Sequence, residues 1–114
     1  MAGSGTDNGM RRFPRFQRSM LLKINNGSQY TGRTVDVSEN GVRIALRRPV
    51  TVGQRLKMEV YLQDSDPFPI RFVGECRWCE QSEFEETLAG VDLTHSNSRS
   101  LAVWRDYLAT AEAG

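Results

Sequence analysis

Short apolar runs that alternate with polar residues at a period of two, each closed off by turn-forming residues, limit what this chain can fold into more than any other feature. On a strand, neighbouring side chains point to opposite faces, so this alternation marks strands with one face buried and one wet. Met20, Leu22 and Ile24 form the first set, and Asn25-Asn26-Gly27-Ser28 then offers residues that tolerate positive φ, the chemistry of a hairpin. A second strand is expected from Gln29 to Asp36. After Ser38-Glu39-Asn40-Gly41, a third points Val42, Ile44 and Leu46 inward with Arg43 facing out. Beyond Arg47-Arg48-Pro49 and a turn at Gly53-Gln54, Leu56, Met58, Val60 and Leu62 alternate with Lys57, Glu59 and Tyr61. A fifth strand puts Ile70, Phe72, Cys76 and Trp78 on one face, with a bend or bulge at Gly74. A polar loop from Glu80 to Glu86 leads to a sixth strand with Leu88, Gly90-Val91 and Leu93.

At the end the period changes. Leu101, Trp104 and Leu108 recur at helical spacing behind Ser96-Asn97-Ser98, a set of N-capping residues, which predicts one amphipathic helix lying on the sheet. Six antiparallel strands expose fewer edges when closed than when flat. The expected fold is therefore all-β: a six-stranded antiparallel barrel with a C-terminal α-helix. A chain of 114 residues suits one such domain. Residues 1–9 are small and polar and read as a disordered tail, leaving residues 10–114 as the domain.

Fifteen basic residues against fourteen acidic ones give a net charge of +1, too little for a global field that would hold long nucleic acid or an anionic membrane. An anion must be captured locally, and Arg11, Arg12, Arg15 and Arg18 crowd into eight positions with no acidic residue among them. Pro14 keeps that segment extended. Guanidinium groups bond phosphate oxygens or the acceptor edge of guanine in bidentate fashion and also stack on bases. Taken alone, such an arginine-rich terminus is more often a solvated face. A second constellation is Asp36-Val37-Ser38-Glu39-Asn40-Gly41. Asp36 can accept from a guanine ring N–H and amino group, Ser38 can bond a polar ligand edge, and Gly41 permits close backbone approach or positive φ. A side-chain-stabilised turn uses the same residues.

Together, Arg-x-x-x-Arg and Asp-x-Ser-x-x-Gly one hairpin later resemble the PilZ domain family, bacterial receptors for cyclic di-GMP. Gly32-Arg33-Thr34-Val35-Asp36, Gly41-Val42-Arg43-Ile44, Val52-Gly53-Gln54 and Gly90-Val91 extend the likeness over residues 10–109. The resemblance implies a barrel on which Arg11 and Arg15 contact the ligand's phosphates and guanines, Asp36, Ser38 and Gly41 hold a guanine edge, and Arg12 adds a phosphate contact. Met10, just ahead of the first motif arginine, bears on whether one ligand or a stacked pair is bound. The implied activity is that of a cytoplasmic receptor or adaptor, without cofactor, whose N-terminal segment rearranges on binding to regulate a separate effector protein. A ligand-independent interaction module is the alternative; a binder of single-stranded nucleic acid would need aromatic platforms in a basic groove.

An enzyme is not expected, because no nucleophile is paired with a base and no water-activating centre is in view. Cys76 and Cys79 have redox or half-zinc spacing but no second pair. A separation of three puts them on opposite faces of a regular strand, so no metal site is expected and packing is their default role. Trp78 reads as core, with a place on the rim beside the ligand as the alternative. His95 is given no role. No apolar run is long enough to cross a bilayer as a helix, and no secretory signal is expected.

Overall fold

The structure, a computed structural model, describes residues 16–63, 68–81 and 85–113, the last three of these by backbone alone. Among them run β1 (Phe16–Gln17), β2 (Leu21–Asn25), β3 (Gln29–Val37), β4 (Gly41–Leu46), β5 (Arg55–Val60), β6 (Ile70–Gln81), β7 (Thr87–Asp92) and α1 (Ser98–Ala113). All pairings are antiparallel, in the order β1-β3-β2-β5-β6-β7-β4, and a further pairing of β3 with β4 closes β2 to β7 into a six-stranded barrel. The two-residue β1 is an addition that the sequence pattern did not signal; it lies along the outer part of β3.

The alternation read from the sequence fills the barrel. Met20, Leu22, Ile24, Val42, Ile44, Leu46, Leu56, Met58, Val60, Ile70, Phe72 and Cys76 all point inward and are buried. Asn25 ends β2 and Gln29 begins β3, and Gly27 takes the positive φ of 91° that the intervening turn requires. Leu62 lies beyond β5 and only packs against the core's edge. In β7 the inward positions are Ala89, Val91 and, just past the strand, Leu93, while Leu88 faces out and is half-buried. The polar loop is shorter than expected, since β6 continues to Gln81.

Two bulges break the alternation. In β3, Thr34 pairs with Ile44 and Val37 with Val42, so β3 has one residue more than β4 between these two inward pairs. In β6, Cys76 pairs with Val91 but Trp78 with Gly90, which makes Arg77 the extra residue. The bulge is therefore three residues beyond Gly74. Gly74 instead packs its bare α-carbon against Val91 and Met58 at the point where β6 leaves β5 for β7. The parity change turns Trp78 outward, 38% exposed, which corrects its assignment to the core.

At α1, Asn97 Oδ1 accepts from the Ser100 amide at 2.8 Å and caps the first turn. Trp104 inserts between the barrel and the helix, fully buried, with its ring 5.3 Å from Phe72 edge-on and 5.8 Å from Tyr107 in a stack. Its indole N–H donates to the Ser38 carbonyl at 2.9 Å. Trp104→Ala is expected to lower unfolding free energy by about 3–5 kcal/mol. Trp104→Phe should cost about 1–3 kcal/mol, because the buried Ser38 carbonyl then loses its donor. Urea titrations of the two variants beside the parent check both values.

Candidate functional site

The turn between β3 and β4 is fixed from every side. The Ser38 amide and hydroxyl both donate to the Gly41 carbonyl, at 2.8 and 3.2 Å, and close the four-residue loop. The Leu93 amide donates to the Asn40 carbonyl at 2.8 Å, and Glu39 pairs with Arg105 of α1 at 3.0 Å. With the Trp104 bond to Ser38, the turn is thus tied to the end of β7 and to two places on the helix. Gly41 begins β4 in extended conformation and is buried. Among the described residues positive φ occurs at Gly27, Gly53 and Glu85, so a positive φ, one of the two reasons weighed for a glycine at 41, does not apply.

Asp36 is at the outer surface because of the β3 bulge. With Thr34 and Val37 both inward, Val35 and Asp36 both fall outside the barrel. The Asp36 side chain is nonetheless only 7% exposed, since Arg43 lies over it, itself 44% exposed. Arg43 Nε donates to Asp36 Oδ2 at 2.7 Å, and its Nη2 donates to the same oxygen. A carboxylate shielded from water in this way is stabilised by the adjacent guanidinium, while the exposed side of the arginine stays screened by solvent.

The register extends this pair into a row across five strands: Gln17 opposite Asp36, Asp36 opposite Arg43, Arg43 opposite Gly90, and Gly90 opposite Trp78. Each step is about 4.8 Å. A side chain at 90 would overlap the Trp78 indole, so the glycine lets that ring lie flat across β7. The row presents an acceptor, a cation and an aromatic face on one outer surface, the functional groups that read and stack a purine. Alongside it, Arg77 is 3.9 Å from both Glu75 and Asp92, and His95 Nε2 is 3.2 Å from Glu75 Oε1, which gives His95 a partner the sequence did not suggest.

Of the residues singled out from the sequence, Asp36, Ser38, Gly41 and Trp78 are described and lie on or beside this row. Met10, Arg11, Arg12 and Arg15 lie outside the described residues. Arg43 and Gly90 were missed as site residues. Arg43 was legible only as an outward position, and its meeting with Asp36 follows from a bulge that alternation cannot locate. Among the described residues no three His, Cys, Asp or Glu side chains come together as metal ligands, and no helix is long and apolar enough to cross a membrane.

A family model described as the PilZ domain matches residues 10–109. Among solved structures, the chain is similar to the Bacillus subtilis inhibitor of motility MotI/DgrA, with a TM-score of 0.73 and 12% identity over 90% of this chain and 51% of that one. It is similar to Escherichia coli YcgR in complex with c-di-GMP, with a TM-score of 0.73 and 14% identity over 90% and 46%. The isolated PilZ domain of YcgR with c-di-GMP gives 0.72 and 13% over 90% and 92%. This chain thus spans about half the length of the first two proteins. No curated protein matches it.

Gly90→Ala should lift the Trp78 ring off β7 and shift tryptophan emission to longer wavelength, with far-UV circular dichroism unchanged. The same substitution in a Trp78→Phe background should leave the emission of buried Trp104 where it was. Fluorescence of the single and double variants tests this packing.

Proposed function

The chain belongs to the PilZ domain family, and from that membership we propose that it is a receptor for cyclic di-GMP that holds the ligand without transforming it. The observation that carries the reading is the pairing of β1 with β3, in which Phe16 lies opposite Val37 and Gln17 opposite Asp36. Arg15 is peptide-bonded to Phe16, and Arg11 is five residues before Phe16. At about 3.6 Å of reach per residue, the Arg11 Cα can lie no farther than about 18 Å from the Phe16 Cα. The cationic segment is thus tethered beside the acidic turn by a link short enough for both to reach one small dianion.

Cyclic di-GMP has two singly charged phosphates and two guanines, and each has a counterpart here. Arg11, Arg12 and Arg15 supply guanidinium groups for the phosphates and for guanine O6 and N7. Asp36 accepts from the guanine N1–H and amino group, and Arg43, its neighbour, turns toward the acceptor edge of the same base. Ser38 and Gly41 form the floor of the turn against which that base is seated. Trp78, at the far end of the row, offers a stacking face worth about 1–3 kcal/mol per base. Met10 stands ahead of the first arginine and bears on whether one ligand or two are held.

Ordering of residues 10–15 against the barrel, ahead of the β1–β3 pairing that already holds residues 16–18, is the proposed signal, and its cost is met by the contacts the arginines make. The output passes to a separate effector protein across the altered surface. Support comes from the two similar structures that contain c-di-GMP, and from the inhibitor of motility as a similar protein that acts on a cellular process. A ligand-independent docking module is the second reading, favoured by one observation: Arg43 already neutralises Asp36.

Calorimetric titration with cyclic di-GMP separates the two. A hydrogen bond to a charged group contributes about 1.5–3 kcal/mol, so Arg15→Ala and Asp36→Ala are each expected to weaken binding by about one to two decades with the fold intact. Unchanged affinity in both variants rules out this site, and absence of heat with the parent protein favours the docking module. Hydrogen exchange of residues 10–15 should slow on saturation with ligand; equal exchange in both states would sink the proposed ordering.

A further inference from the structure

The β6 bulge leaves Cys76 opposite Val91 and Cys79 opposite Ala89, so both sulfurs face inward, which corrects the expectation of opposite faces. Each thiol donates to a backbone carbonyl, Cys76 to Trp78 at 3.4 Å and Cys79 to Val50 at 3.2 Å. The chemistry still without a role lies outside, on the far wall. In the closed ring β2-β5-β6-β7-β4-β3, β5 is three strands from β4 by either route. The outer face centred on β5 is therefore turned away from the row that carries Asp36 and Arg43.

On that face the register sets Lys23 of β2 opposite Glu59 of β5, and Glu59 opposite Arg71 of β6; Lys57 is the next outward residue of β5, opposite Val73. These side chains line a cleft of about 330 Å³, with Asn25 and Gln29 beside them. Three cations thus meet one carboxylate. Arg71 Nε is 3.1 Å from Glu59 Oε2, but its side chain is 80% exposed, so the pair is screened by water and the guanidinium keeps its other donors. Lys23 Nζ lies 5.2 Å from the Tyr61 ring centroid, a contact that steadies the ammonium without cancelling its charge. Among the described residues neither Lys23 nor Lys57 takes part in an ion pair. The cleft therefore keeps uncompensated positive charge on a chain whose net charge is only +1.

We infer that this cleft is the docking surface for an extended acidic segment of a partner protein. Lys23 and Arg71 stand two strand spacings apart, about 10 Å, and Lys57 is about 7 Å along β5 from the line that joins them. One phosphate-sized anion cannot touch all three. Alternate side chains of an extended peptide lie about 7 Å apart on one face, so carboxylates at alternate positions come within reach of these long cationic side chains. Glu59, between Lys23 and Arg71, accepts a donor from the segment at the centre of the cleft. A nucleic-acid strand, with a phosphate at every unit, would bring one onto that carboxylate. Asn25 and Gln29 offer both donors and acceptors, which suit a peptide backbone. A partner held here leaves the Asp36–Arg43 row open, and the assignment does not depend on the receptor reading.

The test records two-dimensional amide NMR spectra of the whole chain, without nucleotide, during titration with acetyl-Glu-Ser-Glu-Ser-Glu-amide and with its glutamine counterpart. The acidic peptide is expected to shift the amides of Lys23, Lys57, Glu59, Arg71 and Val73 to saturation, and the glutamine peptide to leave them in place. Lys23→Gln combined with Lys57→Gln, both outside the core, should weaken that binding about tenfold, with the rest of the spectrum unchanged. Four outcomes overturn the inference. The first is equal affinity in the double variant. The second is a set of shifts that misses these amides, as when the peptide goes to the N-terminal arginines instead. The third is equal saturation by inorganic phosphate, which would make the cleft a plain anion site. The fourth is movement of the same amides when the protein alone is concentrated, which would make a second copy the occupant, through its acidic stretch at residues 80–86.

Discussion

Everything on this molecule depends on β3 being hydrogen-bonded along both edges. Its first part pairs with β2 and its later part with β4, and that second pairing turns a sheet into a barrel. Closure removes the edges that would otherwise present open hydrogen-bonding groups, and it gives the inward side chains of six short strands a common interior. No single strand here could bury enough apolar surface alone. The same strand carries β1 along its outer part, so the place where the chain enters the fold is also the place where the acidic turn begins.

Within that closed frame, the outer surface is shaped by two extra residues. The one in β3 turns Asp36 outward under Arg43, and the one in β6 turns Trp78 outward over Gly90. Each bulge disrupts the regular ladder locally and in exchange re-aims a side chain, a known use of bulges near functional surfaces. Four strands then deliver a carboxylate, a guanidinium, a bare glycine and an indole in register. The β6 bulge has an inner consequence as well, because it brings two thiols to one face of the wall.

What the sequence made legible is what obeys periodicity. Met20, Leu22 and Ile24, or Leu56, Met58 and Val60, could be placed inside from spacing alone, and a helix cap could be placed within Ser96-Asn97-Ser98 from residue type and position. The motif residues Asp36, Ser38 and Gly41 could be located at a turn. Parity beyond a bulge could not be read, since one inserted residue reverses inside and outside without leaving a compositional trace. Hence Trp78 was put in the core and Cys79 on the wrong face, and Arg43 passed as an ordinary surface cation. Gly74 drew the bulge because glycine is the usual suspect, whereas the bend formed at Arg77, where no residue type announces it.

The hydrogen bond from Trp104 to Ser38 is set at the seam between helix and barrel, and Glu39 with Arg105 doubles it. Where two binding events are coupled through such a joint, thermodynamic linkage makes the effect of each on the other equal. A partner on α1 that displaced this joint would therefore meet a ligand seated on the β3–β4 turn as an equal: the change each made in the other's affinity would be one and the same factor.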